Sequence, residues 1–286
     1  MRGLKMKLFD RLEDLKQLPK NDGETRIPLA IFIGYDPKEH VAAEVLAHSI
    51  RRYVSEPLKI VPVCYSELRA HRLFNRPLDK NGATEFTLTR FAVPMLAKKY
   101  LAYDDIPVFF MDCDMLVTKD LFRFSHEHQP NCAISVCKHD YKPRQDMKMW
   151  NTVQAEYPRK NWSSFVKYNM QAPALGPMLN RAFIERASAK ELHRYEFLKD
   201  DEIGSLPLSF NYLVGETQEH EDDDSGIPRS KYQMAPGKVP ANIHYTYGTP
   251  NMDKTLNCEY SDQWYEEFYL LYGRDFDESV DIVETK

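Results

Sequence analysis

Two aspartates separated by one residue follow a long apolar run. The run covers residues 107–111 and leads into Asp112-Cys113-Asp114, after which residues 115–117 are apolar again. Its aromatic and β-branched content predicts a buried strand, and strands of α/β proteins carry functional groups at the carboxyl edge of their sheet. Side chains at i and i+2 of an extended chain point to one side, so both carboxylates can reach one hard cation, Mg²⁺ or Mn²⁺, with Cys113 turned away. The same pair is also typical of an ordinary turn.

The residues before this run predict a parallel sheet. An apolar strand over residues 29–36 ends in Gly34-Tyr35-Asp36, a helix follows from about Glu39 to Tyr53, and residues 58–63 form the next strand. A strand, a helix and a strand with short links form a βαβ unit, which places ligand sites at the carboxyl ends of its strands. We therefore expect Asp36 and Asp112 at the same edge of the sheet.

Three later segments add candidate groups. A second helix is predicted over residues 87–100, with Arg90 off its apolar stripe, and a further strand over residues 133–137 precedes His139 and Asp140. These positions place His139 at the carboxyl edge, where it faces a ligand or belongs to a simple turn. The acidic segment from Glu216 to Ser230 lacks large apolar residues and predicts a solvated loop or lid.

Composition excludes several classes of protein. The 286 residues carry a formal charge of -5, so the basic surface expected of a nucleic-acid-binding protein is missing. Five cysteines without a Cys-x-x-Cys pair indicate reduced core residues rather than a zinc site or a disulfide framework. No stretch approaches the roughly 20 apolar residues of a membrane span, and the acidic N-terminal residues do not resemble a secretory signal. These features predict a soluble, cytoplasmic protein, and they leave its oligomeric state open.

Four motifs together resemble the GT-A glycosyltransferases, in particular the galactosyltransferase-like group that includes glycogenin and bacterial lipooligosaccharide galactosyltransferases. The motifs are Gly34-Tyr35-Asp36, Thr89-Arg90-Phe91, Asp112-Cys113-Asp114 and the late His244-Tyr245-Thr246-Tyr247-Gly248. The resemblance spans roughly residues 29–248. It implies an α/β GT-A fold, in which a mainly parallel central sheet is flanked by helices and followed by an elaborated C-terminal acceptor region.

The resemblance also implies an organisation of the chain. Residues 1–26, with leucines at helical spacing, form an N-terminal helical arm, and residues 27–286 form one glycosyltransferase domain. Within that domain, residues 27–145 are the half that binds a nucleotide sugar, and residues 146–286 are the half that faces the acceptor.

By position in the family, eight residues are candidates for donor binding: Gly34, Tyr35, Asp36, Arg90, Asp112, Cys113, Asp114 and His139. The first three correspond to the loop that touches the nucleobase and ribose, and Arg90 to the arginine near the diphosphate and the sugar. His244 corresponds to the third metal ligand beside Asp112 and Asp114. The family motif continues from its histidine to Lys-Pro-Trp, whereas this chain has Thr249-Pro250-Asn251-Met252, which leaves Lys254 as a weak substitute for the lysine.

An acidic group before an asparagine resembles the family region close to the transferred sugar. Asp201 and Glu202 are therefore candidates for binding sugar or acceptor hydroxyls, and with Arg90 they form the predicted catalytic set. Acidic residues are also common at helix N-termini and in solvated turns, which is the alternative here. Asn161, Trp162 and Ser163 form either a sugar platform or part of the core.

The resemblance implies a metal-dependent transferase that uses a UDP-sugar, or else a GDP-sugar, and a glycan or protein acceptor. Family members of this kind retain the anomeric configuration, whereas an inverting enzyme needs a base such as Asp201 or Glu202. A haloacid-dehalogenase-type phosphatase, with Asp112 as nucleophile and Asp114 as general acid, is an alternative. In such phosphatases, however, this motif normally opens the fold. A non-catalytic carbohydrate-binding protein on the same scaffold is a further alternative.

Overall fold

The computed structural model describes residues 7–21, 27–79, 82–120, 131–145, 158–218, 225–235 and 237–285. Its strands are β1 (Leu29–Tyr35), β2 (Leu58–Cys64), β3 (Val108–Met111), β4 (Met115–Val117), β5 (Ile134–Val136), β6 (Phe165–Tyr168), β7 (Ile203–Ser205), β8 (Tyr212–Leu213) and β9 (Asn242–His244). Its α-helices are α1 (His40–Tyr53), α2 (Tyr65–Ala70), α3 (Phe86–Thr89), α4 (Val93–Tyr100), α5 (Gly176–Leu179), α6 (Arg181–Arg186), α7 (Ala189–His193), α8 (Ser261–Tyr272) and α9 (Glu278–Asp281). Short 3₁₀ helices cover Leu12–Gln17, Pro37–Glu39, Arg90–Ala92, Pro173–Leu175, Asp200–Glu202, Leu208–Phe210 and Arg229–Tyr232.

The strands of the described residues form two sheets. The larger has the strand order β2-β1-β3-β6-β5-β7, and the smaller has the order β4-β9-β8. In the larger sheet the pairs β1–β2, β1–β3 and β5–β7 are parallel, whereas β6 is antiparallel to β3 and to β5. All strands of this sheet except β6 therefore run in one direction, and the predicted mainly parallel sheet is confirmed.

The first βαβ unit forms as the residue pattern predicts. Every residue of β1 except Tyr35 is buried, because strands β2 and β3 flank it on both sides. Strand β2 lies at one edge of the sheet and pairs with β1 alone. It tolerates Pro62, which lacks a backbone N–H, because the outer side of an edge strand makes no hydrogen bonds within the sheet. Helix α1 buries Ala43, Leu46 and Ile50 along one stripe, which packs it onto the core beside β1.

The helix predicted over residues 87–100 is interrupted. It consists of α3 and α4 joined by the 3₁₀ turn at Arg90–Ala92. Pro94 explains the interruption, because it has no N–H to donate to the carbonyl of Arg90 four residues earlier. The tighter turn leaves Arg90 7% exposed, so it is a buried residue of the site rather than an outlying charge.

The apolar run of residues 107–117 is two strands rather than one. Strand β3 lies in the middle of the larger sheet, and β4 pairs antiparallel with β9 in the smaller sheet. The Asp112-Cys113-Asp114 motif is the link between them. The chain thus changes sheets at the motif. A second apolar cluster, which includes Leu116, Trp264 and Phe268, forms around the smaller sheet and α8.

Two expectations about the remaining segments change. The predicted N-terminal helix is a 3₁₀ helix at Leu12–Gln17 whose Leu15 is buried in the main core, and residues 1–6 and 22–26 fall outside the described part of the chain. The prediction of a solvated loop from Glu216 to Ser230 is wrong at its ends, because Glu216 is fully buried and Ile227 N–H donates to its carbonyl. Residues 219–224 lie outside the described residues. The division of the domain at residue 145 stays a prediction.

None of the helices in the described ranges combines the length and the apolar character that crossing a membrane requires.

Candidate metal centre

Three predicted metal ligands come together at the carboxyl edge of the larger sheet. Asp112 follows β3, Asp114 precedes β4, and His244 ends β9 opposite Met115. One ligand atom from each of the three residues lies within 4.8 Å of the others, and all three residues are largely removed from solvent. The backbone fixes this arrangement, since Asp112 N–H donates to the Ser164 carbonyl and Tyr245 N–H to the Asp114 carbonyl, both at 2.9 Å.

An amide orients the histidine. His244 Nδ1 lies 2.8 Å from Asn211 Oδ1, and Asn211 Nδ2 donates to Ser164 Oγ at 2.9 Å. In the tautomer with its proton on Nδ1, the ring donates to Asn211 Oδ1, and Nε2, which lies 3.2 Å from Asp114 Oδ1, is the atom that can bind a cation. A second residue that fixes the ring of a ligating histidine is typical of metal sites in proteins. Sequence analysis missed Asn211, although a polar residue between Phe210 and Tyr212 was a signal that could have revealed it.

Arg90 holds Asp112 in place. Its Nη1 lies 2.8 Å from Asp112 Oδ1 and donates to the Ser163 carbonyl at 3.1 Å. The guanidinium carbon lies 5.2 Å from the ring centroids of both Phe86 and Phe110, which provides cation–π contacts inside the core. The structure therefore joins Arg90 to the acidic cluster through the Asp112 carboxylate, while its role in donor binding stays a prediction.

The electrostatics of the cluster favour a bound cation. Burial raises the pKa of Asp112 to about 6, against the opposing effect of Arg90, and the neighbouring Asp114 raises it further. A pair of buried carboxylates with one arginine carries more negative charge than its surroundings compensate. Carboxylate oxygens and an imidazole nitrogen suit Mn²⁺ and also Mg²⁺, so the donor set fits the divalent metal implied by the sequence.

Cys113 faces away from the two aspartates. Its Sγ donates to Glu39 Oε2 at 2.8 Å in the core, and burial raises the pKa of the thiol well above its usual value. Cys113 thus belongs to the donor-binding motif through its backbone, as the spacer that puts both carboxylates on one side.

The loop after β1 lies at the same edge. Asp36 accepts hydrogen bonds from the N–H groups of Lys38 and Glu85, both at 2.9 Å, and so connects this loop to the start of α3. Tyr35 Oη lies 3.0 Å from His40 Nδ1. At Gly34 an added Cβ would lie 2.4 Å from Phe86 Cδ2, so glycine is required there by close packing. Hydrogen bonds and close packing therefore fix the three residues that are predicted to bind the donor here.

His139 is buried beside the cluster. It follows β5 at the carboxyl edge and packs against the rings of Tyr141 and Tyr232. Burial, with a contribution from His244, lowers the pKa of His139 to about 3, so the ring is neutral at physiological pH. Trp162 Nε1 donates to the His139 carbonyl at 2.8 Å, which ties Trp162 to the same wall, and Ser163 is bound to Arg90.

The structure does not bring Asp201 and Glu202 to this cluster. Both lie in the 3₁₀ turn before β7, which is parallel to β5, so they are at the amino edge of the sheet while Asp112 is at the carboxyl edge. Glu202 accepts a hydrogen bond from the N–H of Lys199 and caps the turn, and Asp201 is exposed. The capping chemistry of acidic residues accounts for this position. Asn211, beyond the opposite end of β7, is the residue of this region that reaches the site.

No protein-family model matches the sequence. The chain is 36% identical over 255 residues to Protein CDI of Arabidopsis thaliana, and the match covers 89% of this chain and 92% of that protein. The chain belongs to the same family as Protein CDI. The match covers nearly the whole length of both proteins.

Two solved structures share the fold. The apo form of the bifunctional glycosyltransferase WbbM has a TM-score of 0.56 and 16% identity, with 89% of this chain and 52% of that chain covered. The apo form of the glycosyltransferase GlyE from Streptococcus pneumoniae TIGR4 has a TM-score of 0.54 and 14% identity, with 89% and 62% covered. The chain spans about half and three-fifths of their lengths. It has the GT-A glycosyltransferase fold, which confirms the predicted fold class.

Proposed function

We infer that the protein is a metal-dependent glycosyltransferase that moves a sugar from a nucleoside diphosphate sugar to a glycan or protein acceptor. The favoured donor is a UDP-sugar, with a GDP-sugar as the alternative, and the cation is Mn²⁺ or Mg²⁺. The supporting observation is the buried cluster of Asp112, Asp114 and His244 at the carboxyl edge of a GT-A sheet. A cytoplasmic location is part of this proposal.

The chain's own residues prepare the site for a departing diphosphate. When bound, a divalent cation stabilises the negative charge that develops on the leaving phosphate. Asp112 and Asp114 would hold that cation with His244, and the Arg90 guanidinium keeps the Asp112 carboxylate facing the cluster. Because these groups are fixed by packing before the donor arrives, little reorganisation is needed as charge develops.

Different residues around the cluster are proposed to contact different parts of the donor. Gly34 and Tyr35 end β1 and Asp36 follows it at the carboxyl edge, and all three are proposed to contact the nucleobase and ribose. His139 lies after β5 at the same edge and is neutral, so it can donate one hydrogen bond and accept another. It is proposed to bind a hydroxyl of the transferred sugar.

Retention of the anomeric configuration is the outcome that the geometry favours. Inversion requires a base opposite the leaving group, and the two carboxylates expected to serve, Asp201 and Glu202, precede β7 at the far edge of the sheet. In the retaining reaction the attacking hydroxyl passes its proton to the departing phosphate on the same face of the sugar. No protein nucleophile is then required.

The two alternative functions are not favoured. A phosphatase nucleophile at Asp112 would have to attack a phosphorus atom, but Arg90 engages this carboxylate in a buried ion pair. A non-catalytic binding protein would have no need of the buried carboxylates, which are costly to keep without a cation. The glycosyltransferase fold also argues against the phosphatase.

Thermal denaturation tests the proposal. The protein is mixed with UDP, GDP, CDP or ADP, each with and without Mn²⁺, since a ligand that binds the folded state raises the midpoint. We expect a rise that needs both Mn²⁺ and one diphosphate, with UDP giving the largest. Asp114→Asn should lose this rise and keep its fold. Asp104→Asn, which alters an exposed carboxylate paired with Lys98, is the matched control and should keep it.

A different pattern would contradict the proposal. A wild-type protein that shows no shift with any diphosphate, yet hydrolyses a generic phosphate ester, would be a phosphatase. If Asp114→Asn shows the same thermal shift as the wild type, Asp114 is not a metal ligand, although the protein still binds the nucleotide.

A further inference from the structure

A cavity of about 730 Å³ lies beside the smaller sheet, where residues that follow β8 and β9 line it. Val214 lines it, and the Val214 N–H donates to the carbonyl of His244 at 2.9 Å. Tyr247 and Gly248, which follow His244 in the chain, form another part of the wall. The cavity therefore lies next to the chain segment that follows His244, and none of the three proposed ligands is among its described lining residues.

The described residues that line this cavity carry a net positive charge, opposite in sign to that of the whole chain. Among these described residues, Arg144, Arg229 and Lys254 are cationic and Glu259 is the carboxylate. Glu259 is engaged by Arg229 at 3.0 Å and by the Tyr212 hydroxyl. The whole protein carries a formal charge of -5, so this concentration of positive charge in one concave surface is a local feature.

Hydrogen bonds and close packing hold Arg144 against the cavity wall. Its backbone N–H donates to Glu216 Oε2 at 3.0 Å, and its Nη1 donates to the Thr217 carbonyl at 2.6 Å. A Cβ at Gly226, where φ is +84°, would lie 2.8 Å from Arg144 Cδ, so only glycine lets the arginine lie this close. Such fixation lowers the entropy that the side chain loses when it binds a ligand.

An aromatic ring forms part of the same wall. Tyr247 lies across Gly215, where an added Cβ would be 2.6 Å from the ring, and its hydroxyl donates to Glu216 Oε1 at 2.8 Å. A fixed aromatic ring next to arginine and lysine side chains suits a sugar that carries an anionic group. The ring packs against the C–H groups of the sugar, while the cations bind a carboxylate or phosphate.

We propose that this cavity binds an acidic sugar unit of the acceptor, which carries a carboxylate or a phosphate. This rests on the proposed function for the statement that the ligand is the acceptor. Arg229 also lines a neighbouring cavity of about 410 Å³ that contains Lys238 and Tyr260. The second cavity repeats the combination of a cation and an aromatic ring next to the first.

Binding is measured by isothermal titration calorimetry without donor and without metal, so that it does not depend on turnover. The probes are a galacturonic acid trisaccharide, the uncharged galactose trisaccharide and glucose 6-phosphate. We expect at least one acidic probe to bind and the neutral trisaccharide to bind about tenfold more weakly or not at all. The comparison of the two acidic probes identifies the anionic group as a carboxylate or a phosphate.

Two variants test the residues. Lys254→Gln changes an exposed side chain, and Arg144→Gln changes one that is fixed by hydrogen bonds. Each variant should bind the acidic probe about tenfold more weakly than the wild type. Lys98→Gln alters the net charge equally but lies on α4 outside the cavity, and it should bind like the wild type. Arg144→Gln should keep the thermal shift with UDP and Mn²⁺, and both variants should keep the circular dichroism spectrum of the wild type, which shows that they are folded.

Several results would overturn the inference. Equal affinity for the neutral and acidic trisaccharides would exclude recognition of the anionic group, and so would failure of both acidic probes to bind. Displacement of the acidic probe by UDP with Mn²⁺ would show that the cavity holds the donor diphosphate. Absence of a UDP shift in the wild type would instead refute the proposed function, while the calorimetric comparison would still decide whether the cavity binds an acidic sugar.

Discussion

Replacement of Arg90 by leucine tests how the metal centre is held together. The variant leaves Asp112, whose side chain is 13% exposed, without its cationic partner. One member of a buried pair left alone costs about 3–5 kcal/mol, and loss of the contacts with Phe86 and Phe110 costs about 1 kcal/mol more. Burial of the leucine side chain offsets about 2 kcal/mol. We expect the free energy of unfolding of the metal-free protein to fall by about 3 kcal/mol, which a protein of ordinary stability survives.

Urea denaturation in the presence of EDTA at neutral pH measures this loss, and a double-mutant cycle with Asp112→Asn isolates the ion pair. The double variant should be less destabilised than the sum of the single variants by about 2 kcal/mol. Arg90→Lys keeps the charge and should lose less than Arg90→Leu. Addition of Mn²⁺ should stabilise Arg90→Leu more than the wild type, because a cation then replaces the missing positive charge. A coupling energy near zero would refute the structural role given to Arg90.

Two further predictions concern packing and charge elsewhere. Gly34→Ala should lower the free energy of unfolding by about 2 kcal/mol, because its Cβ would overlap Phe86. Gly176→Ala is the control, since its Cβ meets no atom within 4 Å, and it should change the free energy of unfolding by less than about 0.5 kcal/mol. Equal effects of the two substitutions in urea denaturation would contradict this prediction. Asp10→Asn should destabilise by about 1–2 kcal/mol at neutral pH. Burial raises the pKa of Asp10, but the Ile60 N–H and other partners lower it overall, so this stability is present above pH 3.8 and is lost as pH falls through the folded-state pKa. A difference from the wild type that persists in acid would oppose this account.

Local patterns in the sequence are sufficient to predict the first βαβ unit and the pair of aspartates. Strand β1 and helix α1 match their predicted positions within a residue or two, because a continuous apolar run and helical spacing are properties of neighbouring residues. Asp112 and Asp114 are one residue apart in the chain, whereas the position of His244 came from the resemblance to GT-A glycosyltransferases. The larger sheet then brings these residues to one edge.

Residues whose roles depend on distant partners were not predictable in this way. Asp201 and Glu202 stand close in sequence to Asn211, yet strand β7 lies between them and separates them by the length of the strand. Nothing local shows which end of a strand faces the site. Glu216 looked solvated because its neighbours are acidic, but it is buried by bonds to the backbone of Arg144, 72 residues away, and to a tyrosine hydroxyl.

The two aspartates lie in the link between the larger and the smaller sheet, and His244 belongs to the smaller one. A cation held by all three residues would therefore fasten the two sheets to each other. Local opening of the smaller sheet would have to break the coordination, so amide hydrogens of β4 and β9 should exchange more slowly when metal is bound, whereas those of β1 should not respond. The metal concentration would thus decide whether the chain opens in two steps or as one cooperative unit.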